Sequence, residues 1–546
     1  MKLIHLLTLS VIFTCSWVNA QRQWGDLRYG ELRRVESKYD PIHRSTPLAR
    51  RIGVMVFNGL VSFDKDYNRI PQLTSLTKDE LQTYQPVNDV VYVFPLRTDV
   101  LWHDDEVFDA YDVLFTYLAM QNDLKKRESV DFIASVEVVD SFTIQFTLAK
   151  PILNAFGKLS FQIIPHHLFV PNEAEIRPDN PECQVPPNHT FVQAPIGTGP
   201  YRFDPYAPPS DEVHLLVNPN YPLLADGRNR AWIDKVIMRP FSDDRAQANS
   251  VAFGGVDLAV ELPATLVDSV IQDAEAAGRY LWRERYQSMS YYFFALNHDH
   301  PFLGGEENQL TRQAIHYATN RVEWLNRIEN DSGILISGPF PHDSPYTDSS
   351  VDPYSYDVDK AKDLLAQAGF VDTDGDGTLD KDGKPFTLIL KQVAGRRKEA
   401  QICEAFIADL QQIGIKVNSR ALTSEEEWKQ QIYYKHDFDI VLDSWAFSIG
   451  ATLYPLLHSS QSFPGGKNYI SYNNLAVDIT LDLFKEETDP AALQNLGREL
   501  HRMLRQESPY IFLWTPLRIA VGDIKIRNVQ IHPDVFFNYI TEWWLE

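Results

Sequence analysis

The sequence predicts an α/β protein with at least two domains, and three observations support this prediction. The chain has 546 residues, which is more than a single hydrophobic core usually organises. With 44% hydrophobic and 23% charged residues, its composition is that of an ordinary globular protein. Strand patterns and helix patterns both occur along the chain, and residues 90–117 combine the two in one unit.

The stretch 90–117 is predicted to be a strand, an acidic turn and a capped helix. Large apolar residues at alternate positions indicate a half-buried strand: Val90, Tyr92, Phe94 and Leu96. Asp109 is a good N-cap, and Asp112 follows three positions later, near the positive end of the helix. One apolar stripe at helical spacing then consists of Ala110, Val113, Leu114, Tyr117 and Leu118.

The other elements are predicted from similar local patterns. Strands are expected at Leu27–Leu32, Val136–Val139, Thr143–Leu148, Ile233–Met238 and Tyr291–Leu296, the second and third forming a hairpin. A helix is expected at Asp357–Gly369, with an Asp cap and a Gly stop. The polar, Pro-rich segment 171–195 is expected to be an exposed loop.

The formal net charge of −23 and the pI of about 5.1 limit the classes of partner. A nucleic-acid partner would require clustered Lys and Arg, so the acidic balance argues against one. It also argues against adhesion to an anionic membrane surface. The charge does not distinguish between small-molecule ligands.

The N-terminus resembles a secretory signal peptide over residues 1–20. Lys2 precedes an apolar run, and Val18-Asn19-Ala20 is a small-residue cleavage site. A lipoprotein leader with Cys15 as the lipidated residue is the alternative, but the preceding Phe13 and Thr14 stand where a lipobox has small residues. The sequence therefore favours cleavage over lipid anchoring, and no later stretch is long and apolar enough to span a bilayer.

The two remaining cysteines, Cys183 and Cys403, permit one disulfide in an exported protein. Cys183 lies in the Pro-rich segment, whereas Cys403 lies far downstream in a helical pattern. Two free thiols are expected.

The unit 90–117 also carries a family signature, F-x-L-R-x-x-V-x-W-H-D-x-E-x-F-x-A-x-D-V. It resembles the signature of the family 5 solute-binding proteins of bacterial ABC importers, which include oligopeptide-, dipeptide-, nickel- and haem-binding proteins. The family usually has Gly where Asp105 stands. The matching residues are Phe94, Leu96, Arg97, Val100, Trp102, His103, Asp104, Glu106, Phe108, Ala110, Asp112 and Val113.

Further blocks resemble the same family in the same order along nearly all of the mature chain. They include P-x-G-T-G-P-Y at 195–201, N-P-x-Y at 218–221, the helix 312–318, A-x-x-L-L-x-x-A-G at 361–369 and the segment 438–445. The two glycines of the first block, Gly197 and Gly199, are structural in the family. They are therefore not predicted to be a phosphate site.

The resemblance implies a two-lobed periplasmic binding protein of class II, with discontinuous lobes joined by crossover strands near Tyr291–Asn297 and Tyr510–Pro516. Residues 21–290 and 517–546 would form lobe I, with an inserted subdomain at about 62–194, and residues 291–516 would form lobe II. Ligand binding would favour hinge closure, and the closed form would deliver its ligand to a permease and ATPase complex in the inner membrane. The protein is expected to be periplasmic and monomeric.

A peptide or peptide-like ligand is the first expectation, and the alternatives differ in class. The aromatic content of 12% also suits an oligosaccharide. A periplasmic sensor or chaperone without a transport role would use the same fold. An enzyme is not expected, because H-E-x-x-H, G-x-S-x-G and Walker motifs are all absent from the sequence. No cofactor is expected.

The predicted ligand site centres on Trp445. Peptide-binding relatives have a W-x-x-D block whose Asp pairs with the ligand's α-ammonium, but here Ser448 stands at the acid position and Phe447 precedes it. A hydroxyl does not supply the charge-assisted hydrogen bond of a carboxylate. Asp443 is two residues upstream of Trp445, on the same face of a strand, and is the alternative acid.

Matching positions in the family add three candidates to this site: Glu36, Tyr472 and Trp514. A weaker candidate is a calcium loop formed by Asp372, Asp374 and Asp376. In that loop Gly383 occupies the twelfth position, where a bidentate Glu belongs. An Asp/Gly-rich turn explains the same residues without a bound ion.

Overall fold

The computed structural model describes residues 25–546, except 33–37, 45, 66–67, 153–154, 209, 223, 225–226, 229, 288–289, 343, 447–452, 488–489 and 533–534. The predicted signal peptide and Cys15 lie outside the described residues. Within the described ranges, none of the helices has both the length and the apolar character that a membrane crossing requires. Cys183 and Cys403 are buried, free thiols, as predicted.

The strands are β1 Gly25–Leu32, β2 Val61–Phe63, β3 Arg69–Pro71, β4 Val91–Pro95, β5 Ile133–Asp140, β6 Thr143–Leu148, β7 Tyr201–Phe203, β8 Val213–Val217, β9 Ile233–Phe241, β10 Leu258–Leu262, β11 Leu281–Gln287, β12 Ser290–Leu296, β13 Gly333–Leu335, β14 Asp380–Lys381, β15 Lys384–Pro385, β16 Thr387–Val393, β17 Lys416–Leu422, β18 Ile440–Ala446, β19 Tyr510–Phe512, β20 Trp514–Asp523, β21 Ile526–Arg527 and β22 Trp544–Leu545.

The α-helices are α1 Pro47–Val56, α2 Lys78–Thr83, α3 Ala110–Asn122, α4 Ala155–Leu159, α5 Thr190–Gln193, α6 Asp244–Ala252, α7 Ala264–Ala276, α8 Gln309–Ala318, α9 Arg321–Glu329, α10 Val358–Gln367, α11 Arg397–Gln412, α12 Glu425–Lys429, α13 Tyr454–Leu457, α14 Leu475–Glu486 and α15 Pro490–Glu507.

Two mixed sheets form the centres of the two lobes. The first has the strand order β11-β20-β10-β1-β9-β8-β7, with β13 beside β20, and the second has the order β17-β16-β18-β12-β19. In the first sheet β1 is parallel to β9 and β10, and β20 is antiparallel to both β10 and β11. Strands β1, β9, β10 and β11 therefore all end at one edge of the sheet.

The second sheet has the same kind of edge. Strand β16 is parallel to β17 and β18, and β12 is antiparallel to β18 and β19. Strands β16, β17, β18 and β19 consequently end together. The fold is thus a two-lobed α/β architecture, as the sequence predicts.

The chain crosses between the sheets twice. It leaves the end of β11 at Gln287 and enters the second sheet at Ser290, and it returns from β19 at Phe512 to β20 at Trp514. Because these connections are short, the carboxyl edge of each sheet lies on the side of the other lobe. The changes of sheet fall near the predicted lobe limits, which themselves stay a prediction.

The strand–turn–helix unit at 91–122 is organised around the buried carboxylate of Asp112. Trp102 Nε1 donates to Asp112 Oδ2 (3.0 Å), and so does the backbone N–H of Asp109 (3.0 Å). The backbone N–H of His166 donates to Asp112 Oδ1 (2.9 Å). Asp109 caps α3 by accepting from the N–H of Tyr111 (2.8 Å), which confirms the predicted cap. The signature residues Trp102 and Asp112 therefore hold the turn to the helix.

Helix α3 is more deeply buried than one apolar stripe predicts. Phe115, Ala119 and Met120 are buried as well, whereas Leu114 is only half-buried. Segment 171–195, predicted to be an exposed loop, contributes buried apolar residues to the same core: Ile176, Cys183, Val185, Phe191 and Val192. Most of the segment is exposed and irregular, as predicted, but these few apolar residues are buried, and their scattered positions in a polar, Pro-rich segment give no periodic signal.

His103 joins the signature turn to the glycine block. The backbone N–H of Gly197 donates to His103 Nδ1 (3.1 Å), so the ring proton is on Nε2, which donates to the carbonyl oxygen of Gly199 (3.0 Å). A Cβ at Gly197 would overlap the backbone of Val56, and a Cβ at Gly199 would overlap the backbone of Met55 and Val56. These glycines permit a close approach of backbone segments, in agreement with a structural role.

Because of His501, the stability of the second lobe is expected to depend on pH. The side chain is 1% exposed, the N–H of Asp348 donates to Nδ1 (2.8 Å), and Nε2 donates to Ser337 Oγ (3.0 Å). Burial lowers the pKa of His501 to about 4. The native state therefore binds fewer protons than the unfolded state between pH 6.5 and 4, and stability decreases as the pH falls through that window.

For His501 alone, we expect a loss of about 1.5 kcal/mol between pH 6.5 and pH 5. His501→Asn removes the titrating group, and urea unfolding at pH 7, 6 and 5 should show a correspondingly weaker pH dependence than the wild type. His342→Asn, at an exposed histidine, serves as the control. Equal pH dependence in wild type and His501→Asn would contradict this prediction.

Candidate functional site

The facing carboxyl edges of the two sheets form the candidate site. In α/β proteins, side chains and backbone groups at the carboxyl ends of parallel strands are exposed where the order of the strands changes, and ligands bind there. In this protein the crossover segments bring two such edges together. A ligand between them contacts both lobes at once.

On the second lobe, β18 presents Asp443 and Trp445 at this edge. Both are partly exposed and share one strand face, as predicted, while Tyr469 donates its hydroxyl proton to Asp443 Oδ2 (2.7 Å). Lys467 Nζ lies 5.3 Å from the centre of the Trp445 ring. Residues 447–452 follow directly, so Phe447 and Ser448 lie outside the described residues.

Three buried polar atoms at these strand ends have no hydrogen-bond partner among the described residues. They are Nε2 of Gln287 at the end of β11, Oε1 of Gln392 near the end of β16, and Nε1 of Trp445 near the end of β18. A buried polar group without a partner costs about 1–3 kcal/mol. Two donors and one acceptor at these strand ends are therefore available to a ligand that carries hydrogen-bonding groups.

On the first lobe, a charged cluster lies at the ends of β1 and β10. Arg51 on α1 donates from Nη1 to Glu31 Oε2 (2.8 Å) and from Nη2 to Glu261, and Tyr29 donates its hydroxyl proton to Glu31. Burial raises the pKa of Glu31, and the Arg51 charge acts against that shift. The register between β10 and β20 shifts between Ala259 and Leu262; such an irregularity re-aims a side chain, here Glu261.

An acidic groove of about 650 Å³ continues along the same edge of the first sheet. Its lining consists of Leu32, Asp211, Pro240, Phe241, Ser242, Asp243 and Asp244. Burial raises the pKa of Asp244, while the charge of Lys398 on α11 of the second lobe lowers it. The first lobe therefore presents a negative surface to the space between the lobes.

Two candidates from family resemblance lie in the cores instead. Trp514 is fully buried and donates from Nε1 to Glu329 Oε1 (3.3 Å), and Tyr472 is buried in the second apolar core of that lobe. Their burial favours a packing role, and contact with a ligand stays a prediction. Glu36 lies outside the described residues.

The predicted calcium loop is a hydrogen-bonded turn. The backbone N–H groups of Gly375 and Gly377 donate to Asp372 (2.7 and 3.0 Å), and the N–H of Thr378 donates to Asp376 (2.6 Å). Carboxylate oxygens of Asp372, Asp374 and Asp380, rather than Asp376, lie within 4.8 Å of one another. The hydrogen bonds within the turn explain the presence of these acidic residues without a bound ion, and bound calcium stays a prediction.

Sequence reasoning missed several residues of this edge: Glu31, Arg51, Glu261, Gln287 and Gln392. A usable signal was present, since four of them occupy the last or the penultimate position of a strand. Arg51 carried no local signal, because its partners Glu31 and Glu261 are 20 and 210 residues away.

This fold and site define a class: proteins with two α/β lobes that bind a ligand between them. The sequence matches the family described as "Bacterial extracellular solute-binding proteins, family 5 Middle" over residues 84–466. The chain therefore belongs to family 5 of the bacterial extracellular solute-binding proteins.

Individual relatives agree with this assignment. The chain is 25% identical over 536 residues to the oligopeptide-binding protein AppA of Bacillus subtilis (strain 168), covering 96% of this chain and 92% of the relative. The structure of AppA in complex with a nonapeptide aligns with a TM-score of 0.74 at 23% identity, covering 96% of this chain and all of AppA. NikA from Brucella suis, in complex with Fe(III)-EDTA, aligns with a TM-score of 0.79 at 20% identity, covering 95% of this chain and all of NikA.

Proposed function

We propose that the protein is a periplasmic receptor that binds a peptide or peptide-like ligand between its lobes and delivers it to the membrane permease of an ATP-driven importer. Ligand binding favours the closed arrangement of the lobes by its greater affinity for that state. The cleft is assigned to binding alone, without catalysis or a cofactor. The receptor acts as a monomer.

The unpartnered Nε1 of Trp445 is the observation that carries the proposal. A peptide offers a carbonyl oxygen and an N–H group at every residue, which matches the mixture of free donors and acceptors on Trp445, Gln287 and Gln392. The relative AppA holds a nonapeptide, which supports the same ligand class. The indole face of Trp445 provides apolar contact without selecting one peptide sequence.

Three acidic side chains, Asp443, Glu261 and Asp244, are the candidates to bind the positively charged amino terminus of the ligand. With Ser448 at the family's acid position, we propose that Asp443 supplies the carboxylate on the second lobe. It lies on the same strand face as Trp445 and is held by the hydroxyl of Tyr469. A charge-assisted hydrogen bond from an ammonium group to this carboxylate is about twice as strong as a neutral one.

Asp443→Asn is expected to weaken binding of peptides with a free amino terminus about tenfold, because it removes the charge. Binding of the same peptides after N-acetylation should change less than twofold. Isothermal titration calorimetry with matched free and acetylated peptides measures both effects. Equal losses for both peptides would assign Asp443 to folding of the site rather than to the ammonium group.

Native mass spectrometry of the mature protein from its own periplasm, before and after mild denaturation, tests the ligand class. Released masses that fit peptides would support the proposal. Sugar masses would replace the peptide with an oligosaccharide and keep the receptor mechanism. Absence of bound species, together with no thermal shift across peptide and sugar panels, would contradict the receptor function and favour a sensor or chaperone.

A further inference from the structure

An exposed apolar stripe runs along α14 in the second lobe. Its residues are Leu475, Ile479 and Leu483, which are 73%, 52% and 55% exposed. A spacing of four residues places them on one helix face, while Val477 and Leu481 on the other face are buried. Single exposed apolar residues need no explanation, but a contiguous row of large ones indicates a contact surface.

The stripe forms one wall of a groove of about 520 Å³. Leu475, Ala476 and Ile479 supply apolar lining, and Glu306, just before α8, and Glu507, the last residue of α15, supply acidic lining. The groove therefore combines apolar and acidic lining residues.

Acidic side chains lie near both ends of the stripe, and two of them, Glu486 and Glu507, are ion-paired with Lys150 and Arg312. Asp482 and Glu486 are exposed on α14 beside Leu483. The exposed base of this helix, Lys485, places its Nζ over the ring of Tyr454 (4.0 Å). A surface with an apolar centre and an acidic border is complementary to a segment with apolar tips flanked by Lys or Arg.

One end of the stripe lies where the lobes meet. Lys150 Nζ donates to Glu486 Oε1 (3.0 Å), although the two residues are 336 positions apart. Lys150 follows β6 in the predicted subdomain of the first lobe, and Glu486 is the last residue of α14. A partner on the stripe is therefore next to a contact that forms between the lobes.

We propose that the stripe Leu475, Ile479 and Leu483, with its acidic border, docks a basic, apolar-tipped segment on the outer surface of the membrane permease. This inference rests on the proposed function and specifies the surface that the permease contacts. A second copy of the chain is a poorer partner, because two acidic borders would face each other in a protein with a net charge of −23.

Replacement of apolar residues of the stripe with acidic ones tests the proposal. The double variant Ile479→Glu, Leu483→Glu should reduce uptake of the bound peptide at least tenfold in cells that carry the native importer. Peptide affinity of the purified variant should stay within twofold of the wild type, since both positions are exposed. Val322→Glu on α9, at a position 64% exposed in the same lobe, is the matched control and should preserve uptake. Wild-type uptake by the double variant would overturn the proposal.

A photo-cross-linking residue at position 479, compared with one at position 322, gives a readout that does not depend on the ligand. The expected adduct is with an integral membrane protein of the importer, through a peptide rich in Lys or Arg, and only from position 479. An adduct with a second copy of the chain, or equal adducts from both positions, would overturn the proposal. If the wild type bound no peptide, the proposed function would fail, and the cross-link would still decide the docking surface.

Discussion

Trp445→Ala is expected to weaken peptide binding about 30- to 100-fold, because buried tryptophans at the centre of an interface typically contribute 2 kcal/mol or more. Two effects combine in this variant. The ligand loses the apolar contact of the indole face, and its carbonyl oxygen loses the donor Nε1, which has no acceptor among the described residues. Isothermal titration calorimetry with peptides identified in the native protein measures the loss directly.

Trp445→Phe separates these two effects. It keeps an aromatic face and removes the N–H, so we expect a loss of about fivefold, the value of one neutral hydrogen bond. Trp232→Phe is the control, because Trp232 directly precedes β9 at the edge opposite the cleft. Unchanged affinity in Trp445→Ala would exclude Trp445 from the ligand site.

Asp112→Ala is expected to reduce the free energy of unfolding by about 3–5 kcal/mol. The side chain accepts hydrogen bonds from Trp102 Nε1 and from the backbone N–H groups of Asp109 and His166. The substitution leaves three N–H groups without an acceptor in a buried environment, and each unpaired group carries its full cost of desolvation. Urea denaturation followed by tryptophan fluorescence measures the change.

Asp105→Gly in the same turn is the control for this experiment. Asp105 has a φ of 71° and is exposed, a conformation that glycine adopts without steric cost. We expect a change within about 1 kcal/mol, since relief of strain and the greater entropy of the unfolded chain oppose each other. A loss below 1 kcal/mol in Asp112→Ala would show that the turn does not depend on this carboxylate.

The elements that could be predicted from sequence have local signals. The Asp109 cap of α3 and the Asp357 cap of α10 were both predicted, and each is made within a few residues of the chain. The hairpin of β5 and β6 was likewise predicted from two alternating runs around Asp140. Such contacts depend on neighbours in sequence, so one chain is sufficient to infer them.

The candidate site depends instead on contacts between distant residues. Glu261 meets Arg51 only because β10 pairs with β1 and because the register shift re-aims the side chain. Trp514 was assigned to the ligand site by its position in the family, but it is buried and donates a hydrogen bond to Glu329. Sequence patterns identify such residues as polar or aromatic, but the sheet topology determines which of them reach the ligand.

The position of β20 in the first sheet has a consequence for biosynthesis. Residues 514–523 form a strand between β10 and β11, and Lys525 pairs with Asp257 across 268 residues of chain (2.6 Å). A chain that emerges from its amino end completes the sheet of the second lobe, at residue 512, before that of the first. The first lobe therefore lacks the strand that joins β10 to β11 until residue 523 is available. Folding dominated by such distant pairings is slow, so completion of the first lobe is expected to limit the folding of the protein.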